Sequence, residues 1–538
     1  MKRRITAEVV LREQPEPTTD LAKYLDDTAA RQPHLSAVVD SDGSMLSYGE
    51  LSAAADRIAA FLYRRGIVAG DNVGFFMRKS SRMLAAIFGV LRLGAAYVPT
   101  DVRSSVTRAS SVFVNCDVRI ILTDPESASH LIRAAPQLRC DVVVMQSYNE
   151  KNTVCEDDQT LDMLLGQACY YPSKVPDANR LAYILYTSGS SGTPKGVAIS
   201  HHNAVSFVEW ASAAFGITAD DQVSSHAPFH FDLSIFDIYV SVKNGACIHL
   251  IDTDLAASPR HLSTFISARG ITVWYSAPAI LGMLAEQHNG SPLAPNRLRL
   301  VLFAGEVFPI TQLRMLQRLW PEPVYYNLYG PTETNVCTAY CVPYIPTDCV
   351  APLPIGHPCN HCDTIVVDEY LCPVLEGEPG LLCVAGPSVI TSYWNAPEEI
   401  AQRIFHLDGK RWYNTGDRVC SSPEGYLFLG RLDRMIKRHG YRIELDEIES
   451  YLATQPELTA SAVVSTGTDG NTTITAFLEA RDAPVSPTDL KKFCYERLAH
   501  YMVPDYFRYV PNLPRTSTGK INYQLLEDQC QSNLMNAG

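Results

Sequence analysis

YILYTSGSSGTPKG, residues 183–196, starts as a strand and ends as a loop suited to anions. The apolar run up to Tyr186 has the aromatic and β-branched character of a buried strand. From Thr187 to Thr193 only threonine, serine and glycine follow, and Lys195 closes the segment. Such a loop presents consecutive backbone N–H groups and hydroxyls, with one cation at its end, which are the parts that cradle a polyphosphate. It is not a Walker loop. Lys195 follows Pro194 and precedes Gly196, so the GxxxxGK[ST] spacing fails.

Outward from this stretch, short apolar runs alternate with amphipathic helical patterns. NVGFFM, AAYVP, VRIILTD and DVVVMQ precede it; ACIHLID, ITVWYSA, LRLVLFAG and PVYYNLYG follow it. Alternation of this kind implies βα units and parallel sheet. DLAKYLDDTAARQP and YGELSAAADRIAAFLYRRG read as helices, the second stopped by Gly66. From Cys359 the strands shorten (TIVVDEY, GLLCVAG, GYLFLG) and predict an antiparallel subdomain. After GRLDRMIKRHG the pattern turns to helix–strand–strand–helix over about a hundred residues. The expected fold is therefore α/β and multidomain. Residues 1–432 form a large domain of βα-layered sheets with a small distorted barrel, and residues 433–538 form a small mobile α+β domain.

With 538 residues, 46% hydrophobic and 19% charged, the chain has the composition of a globular enzyme. A net charge of −13 without a Lys/Arg-rich run excludes a nucleic-acid binder. No stretch offers the roughly 20 apolar residues a membrane helix needs. The nearest, MLAAIFGVLRLGAAYVP, is interrupted by Arg92 and predicts a packed helix followed by a strand. The basic N-terminus lacks an apolar core behind it, so a cytoplasmic protein without a membrane partner is expected. The 15 cysteines are scattered through apolar contexts. The lone CxxC at Cys359 and Cys362 lacks a second close pair for zinc.

Six blocks stand in fixed order around the loop: LSYGEL (46–51), LRLGAAYVPTD (91–101), NLYGPTETNVC (327–337), YNTGD (413–417), GRLDRMIKRHGYRIELDEIE (430–449) and PRTSTGKI (514–521). With the loop they resemble the adenylate-forming superfamily of acyl-CoA synthetases, luciferases and amino-acid adenylation domains. The resemblance runs from Leu46 to Lys520. It implies ATP and Mg²⁺ as cofactors. The phosphates would lie on Thr187, Ser188, Gly189, Ser190, Thr193 and Lys195. Asn327 and Tyr329 would hold adenine, Asp417 and Arg431 the ribose, and Gly305, Glu306, Gly330 and Thr332 would line the nucleotide site. Glu333 would hold Mg²⁺, which takes only one or two carboxylates and keeps several waters. Asp433 would be the hinge of the small domain. Lys520 would be the mobile cation that counters charge as a carboxylate attacks the α-phosphate.

HFDLSIFDIYV places Asp232 in a block that resembles amino-acid-activating members, where a carboxylate pairs with the substrate ammonium. The resemblance assigns the rest of the substrate pocket to Leu233, Phe236, Tyr275, Leu302, Ala304, Leu328, Val336 and Cys337, closed by Lys520. Apart from the Tyr275 phenol this lining is apolar, so a small apolar amino acid is expected. The set is similar to that of free-standing enzymes that load L-proline onto a separate peptidyl carrier protein bearing phosphopantetheine, in nonribosomal peptide pathways. Only eighteen residues follow Lys520 and there is no Asp-Ser attachment block, which agrees with a carrier acting in trans. The His201–His202 pair lacks the Asp-Gly of a condensation motif. A D-alanine or other small amino-acid carrier-protein ligase and an acyl-CoA ligase stay open as alternatives.

Overall fold

The computed structural model describes residues 19–134, 138, 140–145, 170–172, 177–188, 194–256, 258–289, 297–349, 351–432, 434–467, 472–481, 483–515 and 521–535. Among these residues two large sheets form the body. One has seven strands in the order Tyr393–Trp394, Lys195–Ser200, Leu181–Thr187, Ala96–Pro99, Asn72–Phe76, Ile120–Thr123 and Asp141–Val144. The other has nine, running His357–Pro358, Thr338–Val342, Val324–Tyr329, Leu300–Ala304, Val273–Ser276, Gln222–Ser225, Cys247–Leu250, Ser36–Val39 and Met45–Ser47. Their central strands pair parallel, as the βα rhythm predicts.

The helices come from the expected patterns. Leu21–Arg31 and Tyr48–Arg64 match the two N-terminal stretches. Ser47 and Glu50 form a reciprocal capping box at the start of the second, and Gly66 follows its end with φ +83°. Ser81–Arg92 and Ala96–Pro99 are the helix and strand foreseen for the segment that Arg92 interrupts. Arg92 is tolerated there because its guanidinium pairs with Asp26 and Asp56 and donates to the Ser52 carbonyl and hydroxyl. Among the described residues no helix is long and apolar enough to cross a membrane.

Leu181–Thr187 returns antiparallel as Lys195–Ser200, with Thr187 opposite Lys195 as the last pair, so the loop closes a hairpin. The helix His201–Phe215 starts after it, capped by Ser200.

Beyond residue 359 the pattern changes as expected. Asp363–Val367, Pro379–Ala385, Lys410–Ser422, Ile404–Leu407 and Gly425–Arg431 form an antiparallel sheet. The C-terminal part has its own core of Ile443, Ile448, Leu452, Val463, Ile474, Leu478, Leu490 and Met502. It contains a two-stranded hairpin, Met435–Arg438 with Tyr441–Glu444, and a three-stranded sheet of Leu458–Thr466, Thr473–Ala480 and Tyr506–Tyr509. This part rests on the body through an ion pair between Arg108 and Glu447 (2.6 Å). Tyr441 stacks on Tyr501 (3.9 Å between centroids) and packs against Phe231 (5.5 Å).

Candidate active site

The parallel strands Val273–Ser276, Leu300–Ala304 and Val324–Tyr329 run in register, Tyr275 beside Leu302 beside Tyr326. Their carboxyl ends deliver Tyr275, Ala304, Gly305 and Gly330 to one cleft, the usual ligand position in open α/β sheets. Gly330 starts a tight loop that ends where the Cys337 N–H donates to the Tyr329 carbonyl (2.7 Å). A Cβ on Gly330 would lie 1.8 Å from the Asn335 carbonyl oxygen, so only glycine fits. This loop carries Thr332 and Glu333 to different partners.

Thr332 faces Asp232. Its hydroxyl donates to Asp232 Oδ2 at 2.6 Å. Asp232 lines the cleft with Phe231 and Leu233, and enclosure raises its pKa above the usual aspartate value, against the Thr332 hydrogen bond and the nearby Lys437 charge. An anion held at this cost is set to receive a cation.

Asp417 occupies the other side of the cleft. It accepts hydrogen bonds from the Tyr329 hydroxyl and from Arg431, which is its partner across the strand pair. Asn327 is one step back. Its amide donates to the Pro354 carbonyl (2.8 Å).

Glu333 is fully buried. It accepts from the Tyr393 hydroxyl (2.5 Å) and from Arg442 Nη1 at 2.9 and 3.2 Å. Burial opposes its charge, yet Arg442 and the Tyr393 hydroxyl prevail and lower its pKa to about 2. Ser188, the first serine of the anion loop, is tied to the same segment. Its hydroxyl donates to the Arg442 carbonyl (2.7 Å) and accepts from the Glu444 N–H (3.1 Å). Lys195 pairs with Glu399 at 2.7 Å.

Substrate-pocket residues divide into two layers. Asp232, Leu233, Tyr275, Ala304 and Val336 line the cleft. Phe236, Leu302, Leu328 and Cys337 lie in the buried core behind them. Phe236 meets Tyr275 edge-on at 5.5 Å. The Cys337 carbonyl accepts from Cys362 Sγ at 3.2 Å. Gly189, Ser190, Thr193, Asp433 and Lys520 fall outside the described residues.

The hairpin Met435–Glu444 brings residues that the sequence reading did not single out. Met435, Lys437, Gly440 and Arg442 all line the cleft. Lys437 lies near both Asp232 and Asp417, and its ammonium sits 5.6 Å from the Tyr329 ring centroid. The Gly440 N–H donates to Glu306 Oε1 (2.6 Å). A signal for this existed in the strand alternation: Ile436 and Ile443 fall on one face, Lys437 and Arg442 on the other.

A family model described as AMP-binding enzyme matches residues 25–394, and one described as AMP-binding enzyme C-terminal domain matches residues 447–520. The chain belongs to the AMP-binding enzyme family. An L-proline--[L-prolyl-carrier protein] ligase from Pseudomonas fluorescens is 36% identical over 510 residues, 93% of this chain and 97% of that protein. One of the same name from Streptomyces coelicolor is 36% identical over 519 residues, 95% of this chain and 96% of that protein. This AMP-binding enzyme is a ligase. A crystal structure of the Vibrio cholerae adenylation domain AlmE in complex with glycyl-adenosine-5'-phosphate shares its fold, with a TM-score of 0.82 at 23% identity over 98% of this chain and 100% of that one.

Proposed function

We propose that the enzyme converts L-proline and ATP to prolyl-AMP and pyrophosphate, then passes the prolyl group to the phosphopantetheine thiol of a separate carrier protein. The observation that carries this reading is Asp232, a carboxylate of raised pKa that shares the cleft wall with Leu233, Tyr275, Ala304 and Val336. A substrate amine would pair with this anion, and the Leu233, Ala304 and Val336 part of the wall suits an apolar side chain. The two proline-activating relatives supply the choice among small apolar amino acids. The matched C-terminal family domain and the lid-like hairpin support a division near residue 433.

In the first half-reaction Asp232 holds the secondary ammonium while the apolar wall packs the pyrrolidine ring. Asp417 and Arg431 take the ribose and Tyr329 the adenine, while Ser188 and Lys195 with the rest of the loop hold the leaving phosphates. The donor set fits a divalent cation: Glu333 is ionised at neutral pH, and the Thr187 hydroxyl is buried without a partner among the described residues. Mg²⁺ bound there would neutralise phosphate charge. Lys520 would be drawn in during adenylation, with Asp433 as the pivot.

The arrangement described above suits the second half-reaction. Residues 435–444 fill the phosphate side of the cleft, and Lys437 sits between the ammonium and ribose carboxylates, where it can face the acyl-phosphate. The thiol then attacks the acyl carbon and AMP leaves with the bonding electrons. Amino-acid-dependent ATP–pyrophosphate exchange over the twenty amino acids, D-alanine and pipecolate tests the reading. L-proline is expected to give the clear maximum; a D-alanine maximum, or exchange only with acids lacking an amine, would overturn it.

A further inference from the structure

Lys79 follows Asn72–Phe76, a strand of the seven-stranded sheet, yet its ammonium serves the nine-stranded one. It donates to the carbonyls of Ser225 (2.6 Å), His226 (3.2 Å) and Ala227 (3.2 Å), where the strand Gln222–Ser225 ends. The ring centroid of Phe229 lies 5.9 Å from the same ammonium. Further along, Asp237 stands fully buried in the π-helical turn Phe236–Val240, and Lys79 is the cation that acts on it. Asp232 and Leu233 lie between these two points of the chain. One side chain from the other sheet therefore holds the backbone on both sides of the carboxylate that the proposed function gives to the substrate ammonium.

The donor count sets what this cation needs. A lysine ammonium carries three N–H donors, and loss of its proton removes one of them. Three carbonyls are met here, so the clamp is complete only while Lys79 is charged. Burial opposes that charge, and Asp237, ahead of Asp252, supports it. We propose that Lys79 and Asp237 are positioning residues for substrate recognition: the ammonium pins the exit of the strand, Asp237 keeps it charged, and together they hold Asp232 where the substrate amine arrives. Neither lines the cleft. The residues given to adenine and ribose stand on other strands, Tyr329 on Val324–Tyr329, Asp417 on Lys410–Ser422 and Arg431 on Gly425–Arg431, so the clamp acts on the amino acid and not on ATP. This inference deepens the proposed function and rests on its assignment of Asp232, but not on proline or on a carrier.

The experiment compares Lys79→Met, Asp237→Asn and the double variant in the full chain. Thermal unfolding is followed for each, with the KM for ATP and for the amino acid that gives the exchange maximum. Lys79→Met leaves a buried carboxylate without its cation and is expected to melt below wild type. The double variant removes both charges and is expected to melt above Lys79→Met. Its KM for the amino acid should nevertheless stay raised by about tenfold or more, with kcat and the KM for ATP within about twofold of wild type. Asp237→Asn alone withdraws the charge that keeps Lys79 protonated, so it should raise the same KM and spare ATP. A pair needed only for folding would recover KM together with the melting temperature, and that outcome overturns the proposal. An equal rise in both KM values overturns it, as does an unchanged KM in Asp237→Asn. A double variant that melts no higher than Lys79→Met would break the charge pairing on which the clamp depends. If Asp232→Ala keeps amino-acid-dependent exchange, the proposed role of Asp232 fails and this inference with it. If Asp232→Ala is inactive and the double variant keeps the wild-type KM, the inference fails alone.

Discussion

Lys437 and Arg442 face each other as cross-strand partners in the hairpin Met435–Glu444, two like charges on the face turned into the cleft. Like charges placed opposite one another in a sheet are destabilising by roughly 0.2–1 kcal/mol. Here carboxylates receive both: Glu333 binds Arg442, while Asp232 and Asp417 act on Lys437. The opposite face, Ile436 and Ile443, packs into the core of the C-terminal domain. The hairpin thus sets its charged face against an acidic cleft and its apolar face against its own domain.

Lys437→Ala removes the cation that this pose places between Asp232 and Asp417. Transfer from preformed prolyl-AMP to the carrier is expected to fall roughly 100–1,000-fold, the scale of losing one preorganised electrostatic contact. ATP–pyrophosphate exchange should fall much less. Single-turnover measurement of the two half-reactions checks this, and a larger loss in exchange would place Lys437 in the wrong step.

Lys520→Ala is expected to show the reverse split. On the proposed function it serves adenylation, so exchange should drop severely while transfer from preformed adenylate is spared. Equal loss in both half-reactions would show that Lys520 does not alternate with the hairpin.

Asp232→Ala is expected to abolish amino-acid-dependent exchange. Truncating one partner of an enclosed charge pair costs about 2–5 kcal/mol, or roughly 30-fold to several-thousandfold in kcat/KM. Asp232→Asn should be as inactive, yet its apo form should melt no lower than wild type, because it removes a charge that enclosure disfavours. Retained exchange in either variant, or a lower melting temperature for the asparagine form, would count against the ammonium role.

Phe236 shows where the sequence could be read for position but not for contact. The FDxS block marks it as pocket-forming, yet the side chain is fully buried behind Tyr275 and acts on the cleft through that ring. Periodicity and block order were enough for the parallel sheets and the change to antiparallel strands after Cys359, and they single out Asp232 and Asp417, which both line the cleft. They could not show Lys437 and Arg442 in the cleft, since that depends on how the C-terminal part packs against the body, through contacts such as Arg108 with Glu447 and Tyr441 with Phe231. Nor could they show that Ser188 and Lys195 sit on a hairpin, because the return strand KGVAIS carries no turn signal that distinguishes it from a strand leading into a helix.

Phe236→Ala follows from that position. The cavity it leaves against Tyr275 and Phe215 should destabilise the body by about 3–5 kcal/mol in denaturant unfolding. If the chain still folds, Tyr275 gains room to retreat and the preference for proline over pipecolate should shrink in competition assays. An undiminished preference would mean that the ring size is read elsewhere.

The pH dependence of proline activation should report Asp232. Its carboxyl must be ionised to pair with the ammonium, and enclosure raises its pKa above the ordinary aspartate value. The acid limb of kcat/KM, which reflects the free enzyme, should therefore fall at a pH above that value. Thr332→Val removes the 2.6 Å hydrogen bond that favours the ionised form, so the limb should move to higher pH. The stability of the apo protein has the opposite sign. A carboxyl whose pKa rises on folding binds more protons in the folded state, so its contribution is greatest at low pH and is lost as pH rises through the raised pKa. Asp232→Asn should abolish that part of the pH dependence of unfolding, while Thr332→Val moves it upward together with the kinetic limb. A kinetic limb that stays in place in Thr332→Val would assign the titration to another carboxylate.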